Sequence, residues 1–144
     1  MTDVEKLASI LKSSHGAVFF GGAGMSTESG VPDFRSANGI YNRKLHQEFR
    51  PEEMASHSFL VHHPEAFFEF YREHRIFHNI RPNAGHEALA ELERRGIVRL
   101  VVTQNIDGLH QAAGSQNVCE LHGSIARWPC TVCGTIYPTA YVLQ

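Results

Sequence analysis

The architecture follows from residues 17–24, which read Ala17-Val18-Phe19-Phe20-Gly21-Gly22-Ala23-Gly24. A short apolar run of this kind is typical of a strand buried on both faces in a parallel sheet. Open α/β sheets bind nucleotides where such strands end, and glycine lets phosphate approach the backbone N–H groups there. The usual dinucleotide fingerprint needs a third glycine at position 27, where Thr27 stands. The turn therefore indicates either a nucleotide site of another type or a purely structural turn.

Further elements are predicted on both sides of this turn. Two more apolar runs, around residues 98–102 and 118–121, predict strands. Helices are predicted by a capping box at Thr2 and Glu5, by Pro64 as a first helical residue, and by Asn83 as a cap. Their apolar faces would carry Val4, Leu7, Ile10 and Leu11, then Phe67, Phe70, Tyr71 and His74, and finally Ala84, Ala88, Leu89 and Leu92. The alternation of strand, helix and strand predicts an α/β fold.

Composition excludes several classes of protein. The 144 residues are 42% hydrophobic and 19% charged, as in an ordinary globular domain. A net charge of −2 is too balanced to hold a nucleic-acid backbone by charge alone. No apolar run approaches the roughly twenty residues of a membrane span, and the opening residues 1–5 lack the basic start of a signal peptide. We therefore expect a cytoplasmic protein that binds neither membranes nor nucleic acid directly.

Three longer motifs resemble those of the sirtuin family. Gly22-Ala23-Gly24-Met25-Ser26-Thr27-Glu28-Ser29-Gly30-Val31-Pro32-Asp33-Phe34-Arg35 resembles the sirtuin cofactor-binding signature. Thr103-Gln104-Asn105-Ile106-Asp107-Gly108-Leu109-His110 resembles the second motif, and Glu120-Leu121-His122-Gly123-Ser124 resembles the motif with the catalytic histidine. Pro82-Asn83-Ala84-Gly85-His86 and Cys130-Thr131-Val132-Cys133 also fit, so the resemblance covers essentially the whole chain.

The resemblance implies an NAD-dependent protein-lysine deacylase acting on acylated-lysine proteins. The amide oxygen of the acylated lysine would attack the anomeric carbon of the nicotinamide ribose as nicotinamide leaves. Acyl-ADP-ribose would be the other product released. His122 would be the general base, and Asn105 would position water or ribose. The implied NAD site comprises Ala23, Gly24, Thr27, Asp33, Phe34, Arg35, Gln104, Asn105, Ile106, Asp107 and His122.

These residues also suit the chemistry on physical grounds, although several of them have a purely structural explanation as well. Arg35 offers a planar charged fork for phosphate or ribose oxygens, but it would equally make a surface salt bridge. Phe34 offers an apolar face to a flat ring. Asn105 and Asp107 follow a strand, where such residues also cap ordinary turns. The ordinary pKa of His122, about 6.5, suits a base near neutral pH. The other histidines, His57, His62, His63, His74 and His78, are interpreted as features of a helical insert.

Cys130 and Cys133 have the spacing of half a zinc site, which needs four ligands. Sirtuin zinc modules carry a second cysteine pair that this chain lacks, so a half-site, completed by another chain or by histidines, is expected. A redox dithiol is the alternative. Cys119 alone is interpreted as a small buried apolar residue.

The expected organisation is a partial Rossmann-like NAD-binding domain (1–36 and 79–123) with about three parallel strands, a helical insert (37–78) and the first half of a zinc-ribbon module (124–144). Tyr71 is followed three residues later by His74, where sirtuins that remove acidic acyl groups have Arg, so acetyl or another uncharged group is favoured. Arg75 is expected to point about 100° away from that face. The chain is expected to be truncated and to self-associate through exposed sheet edges. The alternative is an inactive NAD-binding or interaction module.

Overall fold

The computed structural model describes residues 1–42 and 49–142. The parts of the predicted insert and zinc-ribbon module at 43–48 and 143–144 lie outside these residues. The α-helices are α1 (Asp3–Ser13), α2 (Pro51–Met54), α3 (His57–His62), α4 (Pro64–His74), α5 (Ala84–Arg94), α6 (Leu109–Ala112) and α7 (Thr139–Val142). The strands are β1 (Ala17–Gly21), β2 (Val98–Thr103), β3 (Val118–Glu120), β4 (Trp128–Pro129) and β5 (Ile136–Tyr137). Two 3-10 helices span Ala23–Ser29 and Ile40–Asn42.

A parallel sheet with the order β1-β2-β3 forms the centre of the fold, as the sequence predicts. Gly21 pairs with Thr103, and Thr103 pairs with Glu120, so the carboxyl ends of the three strands lie side by side. The segments that follow these strands therefore meet at one edge. This register is what assembles the candidate site, because the three motifs are far apart in the chain.

Only one face of β1 is buried, so the prediction of a strand buried on both faces is wrong. Phe19 packs with the buried residues Leu89, Val98 and Val101, which join α5 to the sheet. Val18 and Phe20 point to the other face and are 60% and 62% exposed. The side chains of successive strand residues point to opposite faces, and α1 buries none of its residues within the described chain.

The predicted helix starts are confirmed by their capping contacts. Thr2 and Glu5 make both bonds of the capping box on α1, at 3.2 and 2.7 Å. Pro64 is the first residue of α4. The side-chain oxygen of Asn83 accepts from the backbone N–H groups of Gly85 and His86 at the start of α5. Thus local sequence determines where these helices begin.

A second apolar cluster lies away from the sheet, in the predicted helical insert. Its buried members are Ile40, Met54, Phe59, Phe67 and Phe70. They come from the 3-10 helix Ile40–Asn42 and from α2, α3 and α4. Trp128 of β4 packs against the same cluster, which connects the antiparallel β4–β5 hairpin to the insert. Within residues 1–42 and 49–142, no helix is both long enough and apolar enough to cross a membrane.

Candidate functional site

A cavity of about 600 Å³ lies at the carboxyl edge of the parallel sheet, and we call it the main cavity because the three motifs meet there. Nine of the eleven residues of the expected NAD site line it: Ala23, Gly24, Asp33, Phe34, Arg35, Gln104, Asn105, Ile106 and His122. Asp107 lines a small adjoining cavity of about 30 Å³, which shares Phe34, Asn105 and Ile106 with the larger one. The three motifs therefore converge on one site. Thr27 lines neither cavity and instead donates its hydroxyl to the carbonyl of Gly24 at 3.0 Å.

The glycine-rich turn continues into the 3-10 helix Ala23–Ser29 rather than into an α-helix. A Cβ built on Gly24 would meet no atom of the described chain within 4 Å, so packing within the protein does not require a glycine here. Gly24 borders the main cavity, and a side chain at this position would take up space there. The turn is therefore shaped to let another molecule approach the backbone.

A hydrogen-bonded triad of Ser26, Asn105 and Asp107 joins the first motif to the second. The Ser26 hydroxyl donates to Asp107 Oδ2 at 2.7 Å, and Asn105 Nδ2 donates to Ser26 Oγ at 3.0 Å and to the Gly22 carbonyl at 3.1 Å. Asp107 Oδ1 also accepts from the Leu109 N–H, at 3.0 Å, so it does cap the start of α6. Sequence reasoning missed Ser26, whose full burial shows only in the tertiary structure.

His122 follows β3 and faces the main cavity. Its Nδ1 lies 3.0 Å from the carbonyl oxygen of Gln104. A carbonyl oxygen only accepts, so Nδ1 carries the proton and donates it to Gln104, which leaves Nε2 unprotonated in the neutral ring. This tautomer gives the cavity a side chain that can accept a proton.

The segment from Asp33 to Asn42 contributes Asp33, Phe34, Arg35 and Tyr41 to the wall of the cavity. Asp33 Oδ1 accepts from the backbone N–H and the hydroxyl of Ser36, at 3.2 and 2.6 Å. Gly39 passes so close to Phe34 that a Cβ would lie 2.6 Å from the Phe34 carbonyl carbon. Arg35 borders the cavity, and within the described residues no carboxylate lies within 4 Å of it. The loop therefore presents Phe34 and Arg35 on a backbone held by close packing.

Arg75 also lines both cavities, so the expectation that it would point away from this region is wrong. Successive side chains differ by 100° only within a continuous α-helix. Helix α4 ends at His74, and Arg75 has φ −122° and ψ −19°. Its guanidinium lies 4.8 Å from the centre of the Phe34 ring and 5.9 Å from that of Tyr71. One face of Phe34 is thus in contact with a cation. Tyr71, at the expected specificity position, borders the main cavity as well.

Two buried histidines lie behind the site. His86 of α5 and His110 of α6 are 0% and 1% exposed, and their ring centres are 4.8 Å apart. Burial lowers the pKa of both rings; proximity to His86 lowers the pKa of His110 further, while Asp107 opposes the effect on both. His86 Nδ1 accepts from the Asn83 N–H at 3.3 Å. Both rings are therefore neutral near neutral pH.

The two cysteines of the Cys130–Cys133 motif lie on the turn that joins β4 to β5. The Cys130 N–H donates to the Thr135 carbonyl at 2.8 Å, and the Gly134 N–H donates to the Cys130 carbonyl at 2.9 Å. The Thr135 hydroxyl, 3.2 Å from Cys133 Sγ, lowers the pKa of that thiol. Across the described residues, no group of three or more potential metal ligands comes together. Cys119 is exposed, so its interpretation as a buried apolar residue is wrong.

Comparison with known proteins places these motifs in one family. A profile of the Sir2 family matches residues 22–144. A protein from Clostridium perfringens named NAD-dependent protein deacetylase is 55% identical over 141 residues, which are 98% of this chain and 58% of that protein. An NAD-dependent protein deacylase 2 from Archaeoglobus fulgidus is 47% identical over 135 residues, covering 94% of this chain and 51% of that protein.

Solved structures agree with the sequence comparison. A structure described as a Sir2, p53 peptide and NAD⁺ complex superimposes with a TM-score of 0.79 and 37% identity, covering 97% of this chain and 54% of that one. A Sir2 complex with deacetylated p53 peptide and acetyl ADP ribose has a TM-score of 0.86 and 38% identity, covering 96% and 55%. The chain thus spans little more than half the length of these relatives. With its parallel sheet, its three convergent motifs and these likenesses, the chain belongs to the Sir2 family.

Proposed function

We propose that the chain carries the catalytic centre of an NAD-dependent protein-lysine deacylase. The observation that carries this proposal is the position of His122. Its Nδ1 is held by the Gln104 carbonyl, and the ring faces a cavity bordered by Phe34, Arg35 and Asn105. An imidazole oriented through Nδ1, with Nε2 left to accept a proton, is the arrangement a general base requires. The names of the relatives, NAD-dependent protein deacetylase and deacylase, support the same activity.

The chemistry of the cavity wall fits NAD. The open space beside Gly24 and the guanidinium of Arg35 suit phosphate oxygens, which accept hydrogen bonds and carry negative charge. Phe34, Ile106 and Asp107 suit the nicotinamide group, because they combine apolar surface with a carboxylate acceptor. When bound, NAD would supply an ADP-ribosyl group, which would pass from nicotinamide to the acyl oxygen of the substrate lysine.

The residues of the chain have separate roles in this scheme. His122 accepts a proton from a ribose hydroxyl at Nε2, while Gln104 fixes the orientation of its ring. Asn105 is held by Gly22 and Ser26, so its side-chain oxygen is placed to orient a ribose hydroxyl or water. Ser26 and Leu109 hold the Asp107 carboxylate. The solved Sir2 complexes with p53 peptide support acylated-lysine proteins as substrates. The resemblance to sirtuins at Tyr71 and His74 favours an uncharged acyl group such as acetyl.

The test is an NAD-dependent deacetylation assay on an acetyl-lysine peptide, comparing the chain with His122→Ala. We expect the substitution to lower kcat by at least about 100-fold, as for the loss of a general base. Calorimetry should give similar NAD affinities for both proteins. If both proteins bind NAD and both are equally inactive, the chain is a non-catalytic NAD-binding module, which is the second candidate function. The large apolar side chains exposed on β1 and α1 favour this second candidate, because such side chains are common at sites where another protein binds.

We also propose that Cys130 and Cys133 supply two of the four ligands of a zinc site. The turn places both cysteines three residues apart at the tip of a hairpin, and a lowered pKa of the Cys133 thiol favours the thiolate that binds zinc. Metal analysis of the purified chain tests this proposal. About one zinc per two chains is expected from a shared site, and its loss in Cys130→Ser would support these ligands. Zinc-free protein of unchanged structure would contradict the proposal.

A further inference from the structure

Arg75 is a charged residue in the wall of the site that none of the three motifs contains. It follows α4 directly, and its guanidinium carbon lies over the ring of Phe34, 4.8 Å from the ring centre. It borders both the main cavity and the small one that Asp107 lines. The residue therefore brings a permanent positive charge to the surface proposed for the nicotinamide ring.

That charge is not neutralised by a close partner in residues 1–42 and 49–142. No carboxylate there lies within 4 Å of Arg75, and its buried Nε has no hydrogen-bond partner. The charged or titratable groups sharing its cavities are Asp33, Arg35, Tyr41, Tyr71, Asp107 and His122. Both carboxylates already accept hydrogen bonds, Asp33 from Ser36 and Asp107 from Ser26 and Leu109. Arg75 is thus free to act on whatever binds against Phe34.

We propose that Arg75 makes this subsite bind a neutral pyridine ring better than a cationic one. The inference rests on the proposed function, which places the nicotinamide ring beside Phe34. That ring is a pyridinium cation within NAD and a neutral pyridine once released. A fixed positive charge at the subsite repels the first and not the second. Arg75 is therefore a specificity-determining residue that weakens binding of the intact co-substrate ring relative to the departing group.

The test uses two small probes, nicotinamide and 1-methylnicotinamide, which share the carboxamide and differ in ring charge and one methyl group. Dissociation constants are measured by NMR titration of the full chain and of Arg75→Met, which keeps an unbranched stem and loses the charge. In the original chain nicotinamide should bind more tightly. In Arg75→Met the ratio of the two constants should fall on the order of threefold to tenfold, after solvent screening of the charge. The methyl group of 1-methylnicotinamide is present in both titrations. Comparing the ratio of the two dissociation constants between the proteins therefore cancels its steric effect.

Two further variants make the result decisive. Arg75→Lys keeps the charge and should keep the ratio within about twofold of the original. Arg72→Met removes a cation from α4 outside both cavities and should change nothing. Equal effects of Arg75→Met on both probes, or a Lys variant that behaves like Met, would overturn the inference.

Failure of the proposed function is distinguished by a parallel NAD titration. A chain that binds neither NAD nor the probes contradicts the proposed function itself. If the chain binds NAD but no variant binds either probe, the nicotinamide ring lies elsewhere. That outcome overturns only the role of Arg75.

Discussion

At the scale of single residues, the site depends on how closely other atoms approach particular glycines. A Cβ on Gly39 would lie 2.6 Å from the Phe34 carbonyl carbon, whereas a Cβ on Gly24 would meet nothing within 4 Å. Both residues border or support the same cavity. Alanine should therefore destabilise the fold at Gly39 but not at Gly24.

We predict that Gly39→Ala lowers the free energy of unfolding by about 1 to 3 kcal/mol, as overpacking of a well-packed region does. It should also weaken NAD binding, because Phe34 has to move. Gly24→Ala should leave the free energy of unfolding nearly unchanged but weaken NAD binding, since the methyl group enters the cavity. Urea unfolding and calorimetry measure the two quantities. A Gly24→Ala protein with unchanged NAD affinity would contradict the assignment of phosphate to this turn.

The buried pair His86 and His110 makes the stability depend on pH. Burial lowers the pKa of His110 below its ordinary value, so the unfolded chain binds more protons than the folded chain once the pH falls below about 6.5. Stability conferred by the neutral ring is present above that pH and is lost as the pH falls towards the lowered pKa. We predict that His110→Phe reduces the loss of unfolding free energy between pH 7 and pH 5, as measured by urea midpoints. The exposed His57 is the matched control, and His57→Phe should leave the pH dependence as it was.

At the scale of elements, Asn83 does more than begin a helix. Its side-chain oxygen caps α5, and its Nδ2 donates to the Met25 carbonyl at 2.8 Å and to Ser29 Oγ at 3.1 Å. These bonds join α5 to the 3-10 helix Ala23–Ser29. Thr2, by contrast, caps α1, a helix that buries no residue in the described chain.

We predict that Asn83→Ala lowers the free energy of unfolding by about 2 to 4 kcal/mol, from a lost cap and two lost interhelical bonds. Thr2→Ala, the matched change at a cap without tertiary bonds, should cost about 1 kcal/mol or less. Chemical denaturation of both variants checks the difference. Equal losses would mean that the bonds to Met25 and Ser29 contribute nothing.

At the scale of the whole molecule, large apolar side chains remain exposed on two elements. They are Val4, Leu7 and Ile10 of α1 and Val18 and Phe20 of β1, each more than half exposed. Large exposed apolar patches in soluble proteins commonly mark interaction sites. The central sheet also ends at β1 and β3, which have no further strand partner among the described residues.

We predict that the chain self-associates in solution through these exposed apolar side chains. Phe20→Thr keeps a residue that favours strands but removes the aromatic ring, so it should shift the distribution towards monomer in light scattering. Val132→Thr is the control, because Val132 is 93% exposed on the separate β4–β5 hairpin. A well-folded monomer at all accessible concentrations would contradict the prediction.

Much of the fold was predictable because it depends on local signals. The cap residues Thr2 and Asn83, the leading Pro64 and the three apolar runs specify where helices and strands form. The motifs around Ala23, Asn105 and His122 likewise indicated one site, since parallel strands bring their carboxyl ends together. The exposed face of β1 was not predictable, because burial depends on what packs above a strand, and periodicity does not report that.

The sequence by itself determined the order of the elements, the family and most of the residues at the cavity, because motif spacing and capping are properties of neighbouring residues. Only the tertiary structure decided that Ser26 holds Asp107, that Thr27 bonds back to its own turn, and that Arg75 lies over Phe34. The contacts of Ser26 and Arg75 depend on the path of the backbone between distant segments, and that of Thr27 on the 3-10 geometry of its turn. For Arg75 the physical reason is that α4 ends at His74. The Arg75 side chain therefore does not follow the helical rotation and points into the site.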